Sequence, residues 1–273
     1  MPDVAEQVAK PTDRRGRRVY VWWGVAFGAL VLLGVSCWFF VRPYCQVRKA
    51  TRLCQGDDPP WDINPVRAQM AVRELGGSSK AFGPLSRYMR LPWKLTEYRE
   101  SGTVMLGECG PQAVPELLRL LHDDSDYVRA HAAITLGRMQ DERGYEPLLS
   151  AMKCDPDPFV RGMAAVGLGH YGHKGAFEPI LAMQQTDAAP EARRMASQAL
   201  GLLKDKQAVD ALIAQLSDAD GSMRRAAAWA LGLIGDRRSE GRLAQIAAAD
   251  REEQVRSAAT EALKKIRGEE VKP

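Results

Sequence analysis

A segment of about 31 residues recurs along this chain, and no other feature constrains the fold as strongly. Its simplest marker is a Leu-Gly pair, and successive pairs are 30 to 32 residues apart. The pairs fall at Leu75-Gly76, Leu106-Gly107, Leu136-Gly137, Leu168-Gly169, Leu200-Gly201 and Leu231-Gly232, and Leu263-Lys264 closes the series. A unit this short cannot enclose a core by itself, so the copies must stack into one array.

Two further markers keep their register with the leucine. Eight residues before it lies a hydrophobic residue followed by arginine: Val128-Arg129, Val160-Arg161, Ala192-Arg193, Met223-Arg224 and Val255-Arg256. Five residues before that hydrophobic residue lies an aspartate: Asp123, Asp155, Asp187, Asp218 and Asp250. Three markers in register over five copies indicate one repeated structural unit.

Each unit predicts two helices. The first is short and amphipathic, as in "GYEPLLSAM", and the second places Val128, Ala132 and Leu136 on one helical face. Turns rich in Asp, Pro and Gly, such as "CDPDP", separate the two and suit the N-cap of the second helix. The predicted fold is therefore all-α, an α-solenoid of about five to six two-helix repeats.

The repeated Arg and Asp could be catalytic or structural. Because they recur in every unit beside a core position, we expect a hydrogen-bonded ladder that ties each turn to adjacent helices. The glycine after each leucine is expected to allow close packing in the last turn of its helix.

The pattern "DD-x-x-x-VR-x-x-A-x-x-x-LG" resembles the short bacterial class of HEAT repeats, called phycobilisome-lyase HEAT-like. The resemblance is good over about residues 104–267, within a solenoid predicted for 104–273. Residues 61–103 fit loosely, with Trp93 where the turn aspartate belongs, and predict an atypical capping repeat. Members of this class are mostly scaffolds and partner-binding adaptors, with a few enzymes among them.

Two enzymatic relatives provide tests for chemistry. Deoxyhypusine hydroxylase-like proteins bind iron through His-Glu pairs, and none of the four histidines here precedes a glutamate. No lyase-specific motif is found, and His170 and His173 in "GHYGHKG" lack an evident third ligand. We expect no enzyme activity, no metal and no cofactor. The alternatives are a lyase-like enzyme acting on a protein-bound cofactor, or a structural subunit of a larger membrane complex.

Residues 19–41, "VYVWWGVAFGALVLLGVSCWFFV", form an uncharged run long enough to cross a bilayer as a helix. A basic tail, residues 1–18, precedes this predicted transmembrane helix, and a linker, residues 42–60, follows it. A lipoprotein anchor at Cys37 and a buried core helix are the alternatives. The charge bias slightly favours an inner-membrane protein whose C-terminal solenoid lies outside the cytoplasm. A disulfide between Cys45 and Cys54 is feasible there if that side is oxidising, and the alternative is that all five cysteines are free thiols in a reducing compartment.

The charges point to a protein partner rather than nucleic acid. Residues 61–273 carry 29 basic and 29 acidic side chains, whereas a nucleic-acid-binding domain carries a basic excess. No motif for a small-molecule substrate is present. The expected partners are therefore a protein and, through the predicted span, the membrane.

The partner surface is predicted on the second helices, two, six and ten residues after the repeated hydrophobic residue. Those positions project away from the core face if the second helices line the concave side. The predicted binding residues are Ile134, Val166, Arg194, Leu202, Arg225, Trp229 and Leu233. An exposed Trp beside Arg is typical of an interface hot spot. If the register differs by one residue, Trp229 instead packs between repeats.

Overall fold

The computed structural model describes residues 46–50, 65–90 and 96–269. Every regular element within these ranges is helical, as the repeat predicts. The α-helices after residue 64 are α1 Pro65–Glu74, α2 Ser78–Met89, α3 Thr96–Gly107, α4 Val114–Leu120, α5 Asp126–Met139, α6 Tyr145–Cys154, α7 Pro158–Tyr171, α8 Phe177–Thr186, α9 Pro190–Leu203, α10 Val209–Gln215, α11 Gly221–Ile234, α12 Glu240–Ala249 and α13 Glu253–Arg267.

The helices follow one another as pairs. α4 and α5, α6 and α7, α8 and α9, α10 and α11, and α12 and α13 form five units, and α2 with α3 forms a looser sixth. A single 3₁₀ turn precedes the first helix of each of the five. The second helix ends in a left-handed residue each time, which is Gly172, Gly235 or Gly268 in three units and Gln140 or Lys204 in the others. The predicted helical repeat solenoid is confirmed.

The second helices form the closely packed layer of the solenoid. α5, α7, α9, α11 and α13 each pack against the next member of the series, whereas a first helix packs mainly on the second helix of its own unit. Their leucines Leu136, Leu168, Leu200 and Leu231 are completely buried. Because the second helices are closer together than the first helices, they line the inner side of the stack.

Glycine sets the distance between second helices. A Cβ added to Gly201 would lie 2.6 Å from the Cα of Ala230, and one added to Gly232 would lie 2.8 Å from the Cα of Ala262. The close-packing role predicted for these glycines is confirmed. The last unit carries Lys264 at this position, and among the described helices none packs on α13 from the far side.

The repeated arginines and aspartates form the predicted ladder. The Arg129 guanidinium donates two hydrogen bonds to Asp155 of the next unit, at 2.9 and 3.0 Å. Its third nitrogen donates to the carbonyl oxygen of Asp123 in its own turn, at 2.9 Å. Arg161 with Asp187 and Arg224 with Asp250 repeat the arrangement. The pairs therefore join successive units and have a structural role.

The ladder is interrupted between α9 and α11. Arg193 donates to the carbonyl oxygen of Asp187 at 2.7 Å, but the structure records no ion pair between Arg193 and Asp218. The intact Arg–Asp pairs just described are 26 residues apart, and this pair is one residue closer in sequence. α10 is also only 7 residues long, against 10 in α8. Helix length and spacing alone do not decide the pairing, because Arg99 and Asp123 are 24 residues apart and still form an ion pair beside α4, which is also 7 residues long.

Neutral hydrogen bonds replace the missing ion pair. The Gln215 Oε1 accepts from Gln184 at 3.1 Å and from the Ser197 hydroxyl at 2.8 Å, and all three side chains are buried. They connect α8, α9 and α10. This joint is therefore held by amide and hydroxyl groups where its neighbours use charges.

Several predictions fall outside the described residues. They are the basic tail at 1–18, the transmembrane helix at 19–41, most of the linker at 42–60, the Cys45–Cys54 disulfide and the position of Trp93. Of the linker only residues 46–50 are described, and these are helical, with Val47 and Ala50 buried. In the part of the chain that is described, no helix is both long and apolar enough to cross a membrane. The boundary predicted between residues 103 and 104 falls inside α3.

Candidate protein-binding groove

The predicted binding residues divide into a covered set and an accessible set. Ile134 and Val166 are each only 9% exposed, because they pack into an apolar cluster with Met195. The exposure expected of these two was wrong. Leu202 is half-buried against the same cluster, and Leu233 is half-buried on α11. The apolar strip is therefore shorter than the residue spacing alone suggests.

The accessible set surrounds a cavity of about 530 Å³ formed by α9, α11 and α13. Predicted residues Arg194, Arg225 and Trp229 contribute to its lining. The remaining lining residues are Gln198, Ser222, Ala226, Glu253, Gln254, Ser257, Ala258 and Glu261. We call this cavity, with these eleven residues, the groove.

Small side chains open the groove at this end of the solenoid. On α9 the position three residues after the repeated hydrophobic residue is Met195, which covers α7: a Cβ on Gly162 would lie 2.2 Å from its sulfur. On α11 and α13 the same position is Ala226 and Ala258. Since alanine cannot reach across to the neighbouring helix, space remains above α11.

Trp229 forms part of this space. It is half-buried, and it lies on α11 one turn after Arg225. The alternative that Trp229 packs entirely between repeats is not what the structure shows, because its side chain also lines the groove. An indole held in this way offers a preorganised apolar surface to a partner.

Positively and negatively charged side chains line the groove, and the contacts recorded among them include no close ion pair. The nearest carboxylate recorded for Arg194 is Glu191, at 3.9 Å, and Arg225 donates to the Gln254 amide oxygen at 2.8 Å. No ion pair is recorded for Glu253 or Glu261, both of which are exposed. Arginines therefore occupy the α9 and α11 side, and carboxylates the α13 side.

Sequence reasoning missed part of this site. Glu253 and Gln254 precede the repeated hydrophobic residue, so a column counted forward from it omits them. Gln198, Ser257 and Glu261 belong to that column, but their polarity kept them out of an apolar strip. The informative signal was the change from Met195 to Ala226 at equivalent positions.

The histidines and cysteines give no catalytic arrangement in the described ranges. His173 is exposed, and its Nδ1 accepts a hydrogen bond from the Gly175 amide at 3.1 Å. His170 is half-buried, and burial together with Arg138 lowers its pKa. Burial raises the pKa of the Cys109 thiol to about 11. Among described residues, no three His, Cys, Asp or Glu are grouped as metal ligands.

Stacked helix pairs with an open inner groove define an α-solenoid repeat protein. The family model described as HEAT repeats matches residues 99–169, 114–187 and 177–264. Together these matches cover more than half of the chain. The protein therefore belongs to the HEAT-repeat family.

Several solved structures are similar to this chain at low sequence identity. The complex of CpcE and CpcF of phycocyanin lyase from Nostoc sp. is 18% identical, over 81% of this chain and 94% of that chain, with a TM-score of 0.49. A designed armadillo repeat protein in complex with the peptide (KR)4 is 16% identical, over 68% and 99%, with a TM-score of 0.47. Human deoxyhypusine hydroxylase in complex with glycerol is 20% identical, over 84% and 98%, with a TM-score of 0.39. A comparison with curated proteins gave no match.

Proposed function

We propose that this protein is a scaffold or assembly factor that binds a protein partner in the groove. The observation that carries the proposal is the coincidence of Trp229, Arg194 and Arg225 around one open cavity of about 530 Å³. Tryptophan and arginine are the residue types that most often dominate binding energy at interfaces. The solenoid presents them on a rigid layer of packed helices, which limits the ordering cost of binding.

A binding role accounts for the groove better than the lyase-like alternative. Most of the repeated arginines and aspartates are occupied in the ladder, and Arg193 donates to a backbone carbonyl oxygen instead, so they are not poised for proton transfer or for nucleophilic attack. The groove itself has carboxylates, arginines and amides but contains neither histidine nor cysteine. We therefore propose a protein without catalytic activity of its own.

Replacing Trp229 by alanine should weaken partner capture about tenfold or more, because the apolar wall of the groove is lost. The measurement is quantitative co-purification from solubilised membranes, followed by mass spectrometry. Arg225→Ala should weaken capture of the same partner. The matched control is Arg237→Ala, whose side chain is 85% exposed and lies in the turn after α11, outside the groove.

Thermal unfolding of each variant shows whether the solenoid remains intact. If Trp229→Ala and Arg237→Ala capture the same proteins in the same amounts, the groove is not the binding surface.

We propose further that residues 19–41 anchor the chain in a bacterial inner membrane, with the solenoid outside the cytoplasm. The proposal is supported by the length of this uncharged run. The full chain should remain in the membrane pellet after extraction at alkaline pH, and a chain lacking residues 1–41 should be released. External protease should then digest the solenoid in spheroplasts. Release of the full chain, or protection of the solenoid, would contradict the anchor or its orientation, respectively.

A further inference from the structure

We infer that the groove binds an extended segment of the partner in which an acidic and a basic side chain are separated by one residue. The inference rests on the proposed function and specifies the chemistry of the partner. The partner's carboxylate contacts Arg194 and Arg225, and its cation contacts Trp229 and Glu261.

The acidic side chain of the partner segment, which we call its acidic half, is inferred from the two arginines of the groove. Both line the same cavity from neighbouring helices, and neither forms a close ion pair with a carboxylate. Arg225 is exposed and donates only to the neutral Gln254 amide among the recorded contacts, so its charge is not neutralised. A carboxylate placed between two guanidinium groups gains charge-assisted hydrogen bonds.

The basic half follows from Trp229 and Glu261. They lie at equivalent positions of α11 and α13, six residues after the repeated hydrophobic residue, and they line the same cavity. An aromatic face beside a carboxylate attracts an ammonium or guanidinium group through both cation–π and Coulomb interactions.

The spacing of the two halves favours an extended chain. Arg225 and Trp229 are one helical turn apart, a rise of about 6 Å. Alternate side chains on one face of an extended strand are about 7 Å apart, so residues i and i+2 span the two halves. The amides of Gln198 and Gln254 also line the groove, where they meet the unpaired N–H and C=O groups that an extended backbone offers.

The test measures binding of short fluorescent peptides to the full-length protein by anisotropy. The peptides share one frame and differ at two positions: Glu-Val-Lys, Lys-Val-Glu, Glu-Val-Glu, Lys-Val-Lys and Gln-Val-Gln. One of the two mixed-charge peptides should bind about tenfold more tightly than the other members of the set. Glu261→Lys should transfer the preference to Glu-Val-Glu, and Arg225→Glu should transfer it to Lys-Val-Lys.

Both substitutions are at exposed positions, so their thermal unfolding should match that of the wild type. The inference is overturned if no peptide binds, if a like-charged or neutral peptide binds as tightly as the mixed ones, or if the preference survives both substitutions. Failure of this inference can be told apart from failure of the proposed function. The proposed function fails only if partner capture is also unaffected by Trp229→Ala. If neutral peptides bind as tightly as the mixed ones and Trp229→Ala abolishes their binding, the groove remains a binding site. Only the inferred charge pattern of the partner segment is then overturned.

Discussion

Replacing Gly137 by alanine should lower the free energy of unfolding by about 3 kcal/mol. The added Cβ would lie 2.1 Å from the carbonyl oxygen of Gly167 and 2.4 Å from its Cα. Both contacts are with backbone of α7, so no side-chain rotation can relieve them, and α5 and α7 must separate. Urea unfolding followed by circular dichroism measures the loss, which corresponds to about 10 °C in midpoint temperature for a domain of this size.

Gly241→Ala is the matched control for this substitution. Gly241 is also helical, in α12, but a Cβ placed there meets nothing within 4 Å. Alanine has the higher helix propensity, so this variant should be as stable as the wild type or slightly more stable. Equal midpoints for Gly137→Ala and Gly241→Ala would show that contact between second helices does not limit stability.

Asp250→Ala should destabilise the fold by about 3 kcal/mol. The side chains of Arg224 and Asp250 are 6% and 5% exposed, and two hydrogen bonds of 2.8 Å join them. Removing the carboxylate leaves the buried Arg224 guanidinium with Glu252, at 3.3 Å, as its one recorded carboxylate, besides the carbonyl oxygens of Asp218 and Ala219. The expected result is a lower urea midpoint, with α13 the first element to lose protection in hydrogen exchange.

Asp218→Ala isolates the contribution of the ion pair. Asp218 and Asp250 occupy equivalent turns, and each accepts a hydrogen bond from the amide two residues later, at 2.8 and 3.0 Å. Only Asp250 also forms an ion pair with an arginine. Asp218→Ala should therefore lower the free energy of unfolding by about 1 kcal/mol, the usual value of one lost hydrogen bond. Equal losses at the two positions would mean that the ladder adds no stability.

The pH dependence of the free energy of unfolding at acidic pH tests the Asp250 prediction independently. The hydrogen bonds from Arg224 lower the pKa of Asp250 below its usual value of 3.8. A lowered folded-state pKa contributes stability above the unfolded-state value and loses it as pH falls below 3.8. The difference between wild type and Asp250→Ala should therefore shrink in that range.

Much of the fold could be predicted from the sequence because the repeat encodes contacts between units. A Leu-Gly pair in register with an arginine and an aspartate predicts both the close contact between successive second helices and the Arg–Asp ladder. The interruption at Arg193 and Asp218 could not be predicted from the spacing, because Arg99 and Asp123 are closer in sequence and still form an ion pair. The hydrogen bonds among Gln184, Ser197 and Gln215, which take the place of the missing ion pair, could not be predicted either. Hydrogen bonds among polar residues far apart in sequence leave no periodic pattern.

The groove was predicted only in part, for a different physical reason. The spacing placed Arg225 and Trp229 on one face of α11, and both residues line the groove. It could not show that Met195 covers the helix before its own, because coverage depends on side-chain length across the helix interface. Ile134 and Val166 were therefore predicted as exposed and lie in a small core.

The interruption of the ladder has a consequence for how the groove responds to acid. Among the described units, α11 is joined to α13 through Arg224 and Asp250, whereas the unit of α9 is joined to that of α10 by the neutral hydrogen bonds of Gln215. Protonating carboxylates breaks the first connection and leaves the second unchanged. Acid therefore weakens the attachment of α13 to the groove before it weakens that of α9, while the contact of Gly232 with Ala262 keeps α11 and α13 packed.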